Sequence, residues 1–138
     1  FQFNSTWLGS ALSGRAVPDI LLVSDECGFQ AIIDTKAYSR YDLPTTHRDR
    51  MIYHYLPEIK NYSSSDLPIK FFSYIAGGFS NTIATPLKEI VNATKINGSA
   101  VPVTVFIKMA EKNSTNPYSH SKIKDIFSLN RQIYISDV

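Results

Sequence analysis

Two carboxylates and an amine form the pattern best suited to chemistry: Pro18-Asp19, fourteen intervening residues, then Asp34-Thr35-Lys36. Paired carboxylates are hard oxygen ligands that suit Mg2+, an ion that keeps several waters and accepts phosphate oxygens. Such a metal polarises a phosphate and lowers the pKa of a bound water. The Lys36 ammonium is placed to orient that water or to stabilise charge in the transition state. In-line hydrolysis of a phosphodiester is the reaction such a set implies. The bare pattern also has a plainer reading, as a proline at a strand start and an exposed Asp-x-Lys surface pair. Against it stands the place of Asp34, directly after Ala31-Ile32-Ile33. A charge ending an apolar strand core is costly unless it is paired or coordinated.

These residues need two adjacent strands to bring them together. Asp19-Ile-Leu-Leu-Val-Ser24 is a short apolar run of the buried-strand type, and Phe29 to Tyr38 is rich in β-branched and aromatic residues. The short polar turn Asp25-Glu-Cys-Gly28 predicts an antiparallel hairpin. Period-two geometry then puts Gln30, Ile32, Asp34 and Lys36 on one face and Phe29, Ala31, Ile33 and Thr35 on the other.

Around the hairpin, residues 1–18 read as a loop. Pro44-Thr-Thr46 resembles a helix start with a threonine cap. Met51, Ile52, Tyr55, Leu56 and Ile59 follow as one apolar stripe, which Pro57 should end or kink near Leu56. Lys70 to Ala76 is a third strand stopped by Gly77-Gly78, after a polar linker over 61–68. Thr82 to Lys95 has helical spacing, stopped by Asn97-Gly98. Residues 101–111 fit either period, 113–118 read as a loop, Ser119 to Ser128 as a short helix and Ile133 to Ile135 as a terminal strand. The mixture indicates an α/β domain.

The chain has 138 residues, enough for one filled core, so 1–138 is read as a single domain. Its one cysteine, Cys27, excludes an intrachain disulfide framework and a multi-cysteine zinc site. Apolar runs of only a few residues predict no membrane partner, and no signal-peptide pattern is seen, so a reducing cytoplasmic setting is expected. The net charge is +2, a weak excess for a protein that grips nucleic acid through charge alone. The first residue is Phe1, which suggests a fragment.

Pro18-Asp19 with Asp34-Thr-Lys36 matches the PD-(D/E)xK nuclease signature. The run Ile32-Ile-Asp-Thr-Lys-Ala-Tyr-Ser39, with Tyr41, Leu43 and Pro44, resembles the cleavage domain of FokI-like type IIS restriction endonucleases. Asp49, Met51, Lys70-Phe-Phe, Ile75, Gly77, Phe79, Leu87 and Asn97-Gly-Ser-Ala-Val101 extend the similarity over roughly residues 8–135. The resemblance implies a central mixed β-sheet flanked by helices, with a helix at 102–111. It also implies a Mg2+-dependent endonuclease, bacterial and cytoplasmic, acting on double-stranded DNA, with Asp19, Asp34 and Lys36 catalytic. Asp19, Asp34 and the Thr35 carbonyl would hold the metal, and Ser39 and Arg40 would lie along the DNA backbone. The alternative function is a nuclease-derived module that binds DNA or assembles without cutting it.

Two departures from the family pattern matter. Family cleavage domains pair through a helix carrying Asp-x-x-x-Arg, and here the matching positions are Asp49 and Tyr53. A transient homodimer through that helix therefore lacks its cation, for which Arg48 and Arg50 are the nearest substitutes. The family's preceding helical segment and DNA-recognition domain are also absent from these residues. Elsewhere, Arg40, Arg48 and Arg50 read equally as phosphate contacts or solvated charges. Cys27, His47, His54, His120, Lys122 and Lys124 read as structural or solvated rather than functional. The phenylalanines and tyrosines read as core rather than as a base-stacking platform.

Overall fold

The computed structural model describes residues 1–11 and 17–138. The hairpin forms as its sequence predicts. Strand β2 (Ile20–Ser24) pairs antiparallel with β3 (Phe29–Lys36), and Gly28 turns the chain at a φ of 69° that favours glycine. Strand β4 (Ile69–Ala76) and β5 (Asn97–Pro102) add in parallel, and β1 (Asn4–Trp7) adds antiparallel to β2. The result is a mixed five-stranded sheet in the order β1-β2-β3-β4-β5.

Alternation along the strands splits the core into two layers. Leu21, Ile32, Phe72, Tyr74 and Ala100 face α2 (Thr45–Arg50), its continuation and α3 (Ala84–Thr94), meeting Met51, Tyr55, Leu87 and Ile90. Phe29, Ala31, Ile33, Phe71, Ile75 and Val101 face α4 (Val103–Thr115) and α5 (His120–Phe127), meeting Val105, Met109, Ile123 and Phe127. Strands covered on both faces read as apolar runs, which is why β3 is legible in the sequence. The region 101–111 resolves into both of its readings: Val101 and Pro102 end β5, and Val103 opens α4.

Several sequence expectations change. The first eighteen residues are not all loop, since β1 and a short helix α1 (Leu8–Ala11) form there; the expected loop at 12–16 lies outside the described residues. All four β1 residues are exposed, so backbone pairing creates that strand without any hydrophobic pattern to announce it. No threonine caps α2; Pro44 occupies the cap position, with no side-chain cap bond. The apolar stripe continues as a π-helical turn over Met51–Tyr55, and the Leu56 amide donates to the Met51 carbonyl at 3.2 Å. Lys95 ends α3 in the left-handed region at φ 62°, so Asn97-Gly98 opens β5 instead of stopping the helix. The terminal strand is reduced to one isolated bridge, Gln132 to Ala100, followed by a 3-10 turn over Ile135–Asp137.

Residues 130–133 run along β5. The Asn130 amide donates to the Gly98 carbonyl at 2.8 Å, and the Ile133 amide to that of Ala100 at 2.9 Å. Arg131 then clasps Asp137 through two parallel bonds of 2.8 Å, and the Tyr134 amide donates to the same carboxylate. The guanidinium holds the Asp137 carboxyl down at about 2. A depressed carboxyl stabilises the fold above its ordinary value near 3.8, and that contribution disappears as pH falls through about 2. Carboxyl NMR titration should therefore show a low Asp137 midpoint that returns toward the ordinary value in Arg131→Ala. The stability gap between the two proteins in urea should close near pH 2.

Candidate active site

Register brings the chemistry together. Ile20 pairs with Ile33, so one step further along the antiparallel hairpin Asp19 comes opposite Asp34. Lys36 follows two residues later on the face of Asp34. Asp19 Oδ2 accepts two hydrogen bonds from Thr35, from its amide at 2.8 Å and its hydroxyl at 2.7 Å. Asp34 Oδ2 lies 2.9 Å from Lys36 Nζ.

The Asp34 side chain is only 5% exposed. Burial pushes its carboxyl up to about 6; the Lys36 ammonium pulls the other way, and the Asp19 charge adds to the rise. Two carboxylates facing one ammonium leave the cluster short of positive charge. The Thr35 bonds to Asp19 and the Lys36 ion pair with Asp34 both fall on Oδ2, and the two carboxylates lie close enough for Asp19 to raise the Asp34 carboxyl further. No group of three or more His, Cys, Asp or Glu gathers among the described residues. Any ion held here would take the two carboxylates, a backbone carbonyl and water. That all-oxygen donor set, short of positive charge, fits Mg2+.

The loop after β3 is fixed by a close backbone approach. Gly77 donates to the Tyr38 carbonyl at 2.9 Å, and Tyr41 donates to the Gly78 carbonyl at 2.9 Å. A Cβ on Gly78 would collide with the Ser39 carbonyl. The two glycines are thus more than a strand-ending turn: they let the run after β4 clip the site loop. Ser39 and Arg40 are exposed on that loop and border an open groove of about 590 Å3, which continues past Asn81 and Thr104 to Tyr134.

A model of the FokI cleavage domain family matches residues 1–134. The chain belongs to that family. Solved structures of the restriction endonuclease FokI share its fold. One matches with a TM-score of 0.81 at 22% identity, over 96% of this chain and 25% of FokI. FokI bound to DNA matches with a TM-score of 0.75 at 24% identity, over 95% and 25%. The chain thus spans about a quarter of the FokI chains it matches. No curated protein matches it.

The helix that the resemblance implies for pairing carries Asp49 and Tyr53 in these surroundings. The Asp49 carboxylate is held by its neighbour Arg48 at 3.2 Å, and Arg48 also pairs with Glu89 on α3. Tyr53 stands 64% exposed where the family has arginine.

The three histidines have local partners. His47 Nδ1 meets the Tyr41 hydroxyl at 2.7 Å, and His54 pairs with Glu58 at 3.3 Å. The set Ser24, Glu26 and His120 has the residue types of a hydrolytic triad but not its geometry. Ser24 Oγ and Glu26 Oε1 both lie 2.7 Å from the same ring nitrogen, Nδ1, while Nε2 faces the Phe1 carbonyl at 3.1 Å. A triad needs nucleophile and acid on opposite nitrogens. Stacked 4.0 Å from the Phe3 ring, His120 fastens the N-terminal segment to α5. Sequence reasoning missed this role, and it also missed the Thr35 hydroxyl, since the resemblance gave that residue a part only through its backbone carbonyl.

Proposed function

We propose that this chain is the DNA-cleaving module of a type IIS restriction endonuclease, dependent on Mg2+ and directed to its site by a recognition domain elsewhere. The observation that carries the reading is the juxtaposition of Asp19, Asp34 and Lys36, with the Thr35 and Lys36 contacts confined to Oδ2 of each carboxylate. Family membership and the likeness to FokI bound to DNA support double-stranded DNA as the substrate.

Asp19, Asp34 and the Thr35 carbonyl would hold Mg2+, which supplies Lewis acidity and a water of lowered pKa. Lys36, steered by Asp34, presents its ammonium to the phosphoryl oxygens as negative charge builds there. Ser39 and Arg40 hold the backbone beside the scissile phosphate, and their loop keeps its place through the Gly77-Gly78 clip. With Asp49 engaged by Arg48, a second cleavage domain would pair through contacts centred on Tyr53 rather than through a reciprocal ion pair.

Supercoiled plasmid incubated with the full-length protein should be nicked or linearised with Mg2+ and remain intact in EDTA. Cleavage that persists in EDTA would overturn the metal-dependent reading. Binding without cleavage under any condition would establish the alternative, a DNA-binding module.

A further inference from the structure

Thr35 stands between the proposed metal ligands, and the resemblance gives it a role only through its backbone carbonyl. Its side chain leaves the Asp34 face and borders an apolar cavity of about 390 Å3 with Ile20, Ile33, Ile75 and Phe106. Despite those surroundings its hydroxyl has a specific partner: Oγ1 donates to Asp19 Oδ2 at 2.7 Å, and its own amide donates to the same oxygen at 2.8 Å. Two donors converging on one carboxylate oxygen fix the rotation of that carboxylate more firmly than either would alone. Neither Thr35 bond falls on Asp19 Oδ1.

We propose that Thr35 is a positioning residue whose hydroxyl and amide clamp Asp19 Oδ2, so that Oδ1 is presented to the divalent ion. The proposal rests on the functional reading above. A clamp of this kind acts on the ligand before any ion arrives. It spares the cost of ordering the carboxylate at the moment of binding, and groups hydrogen-bonded to a ligand typically govern metal affinity by about 10–100-fold. The hydrogen bond from the backbone amide survives in both variants below, so they isolate the hydroxyl. Valine preserves the branched shape against Ile20 and Ile75 but cannot donate, whereas serine donates without the methyl group.

Mn2+ serves as the probe, titrated calorimetrically into the full-length protein without DNA. Thr35→Val should bind Mn2+ about 10–100-fold more weakly than wild type, and Thr35→Ser should stay within about threefold. In plasmid cleavage, Thr35→Val should need more metal for half-maximal rate while its KM for DNA is unchanged, with thermal melting confirming that it folds. Wild-type affinity in Thr35→Val overturns the clamp, as does an equal loss in Thr35→Ser, which would trace the effect to packing. If wild-type protein cleaves DNA and these variants are unaffected, only the clamp fails. If wild-type protein binds no Mn2+ and cuts no DNA, the functional reading fails with it.

Discussion

Replacing Asp34 with alanine should reduce Mg2+-dependent plasmid cleavage by about 10^3-fold or more while leaving the protein folded. The carboxylate has two roles in the proposed mechanism, as a metal ligand and as the partner that steers Lys36 from 2.9 Å. Losing a metal ligand removes several kcal/mol of transition-state stabilisation, and each 1.4 kcal/mol is a factor of ten in rate. The fold should tolerate the change, because Asp34 is a charge that burial disfavours, as its raised carboxyl shows. Lys36→Ala should also lose most of its activity but keep its affinity for Mn2+, since the ammonium is not a ligand. Single-turnover cleavage and Mn2+ titration on the two variants separate these roles. Asp34→Ala protein that cleaves at more than about a tenth of the wild-type rate would remove Asp34 from the mechanism.

The largest stability effect should come from a position with no chemistry. Gly98 pairs with Phe72 across β4 and β5, and the fully buried Phe72 ring lies directly over it. A Cβ on Gly98 would collide with three carbons of that ring. The ring has little room to move, because its edge packs against Tyr74 at 6.1 Å and its surroundings are fully buried. Gly98→Ala should therefore destabilise the protein by about 1–3 kcal/mol through overpacking. For a domain of this size that lowers the Tm by roughly 3–12 °C. Phe72→Leu costs stability alone, but combined with Gly98→Ala it should recover part of the loss. A double-mutant cycle in urea measures that coupling, and strict additivity would show that the ring is not what fixes glycine here.

The parts legible in the sequence share a physical cause. The β2–β3 hairpin and β4 are buried on both faces, so their apolar runs stand out, and the Asp19, Asp34, Lys36 set sits on that legible frame. The illegible parts depend on partners distant in the chain or on backbone alone. Strand β1 is made of exposed polar residues and one exposed tryptophan, and only its hydrogen bonds to β2 define it. The end of α3 falls on Lys95, a residue with no special preference for the left-handed region, while the glycine expected to stop it is required under Phe72. Asp49 matches its family position, yet the fold brings Arg48 to it and Glu89 to Arg48. The Thr35 hydroxyl was hidden because alternation assigns Thr35 to the face opposite Asp34, and only its bond to Asp19 shows that it serves the carboxylates.

The segment at 130–133 has one more consequence. A parallel strand at the margin of a sheet exposes unpaired amides and carbonyls that can template another chain. By covering the outer side of β5 with the bonds of Asn130 and Ile133, the C-terminal segment blunts that margin without lengthening the sheet. The opposite margin is β1, four residues long and polar enough to stay hydrated. Both flanks of the sheet are thereby protected from edge-to-edge aggregation.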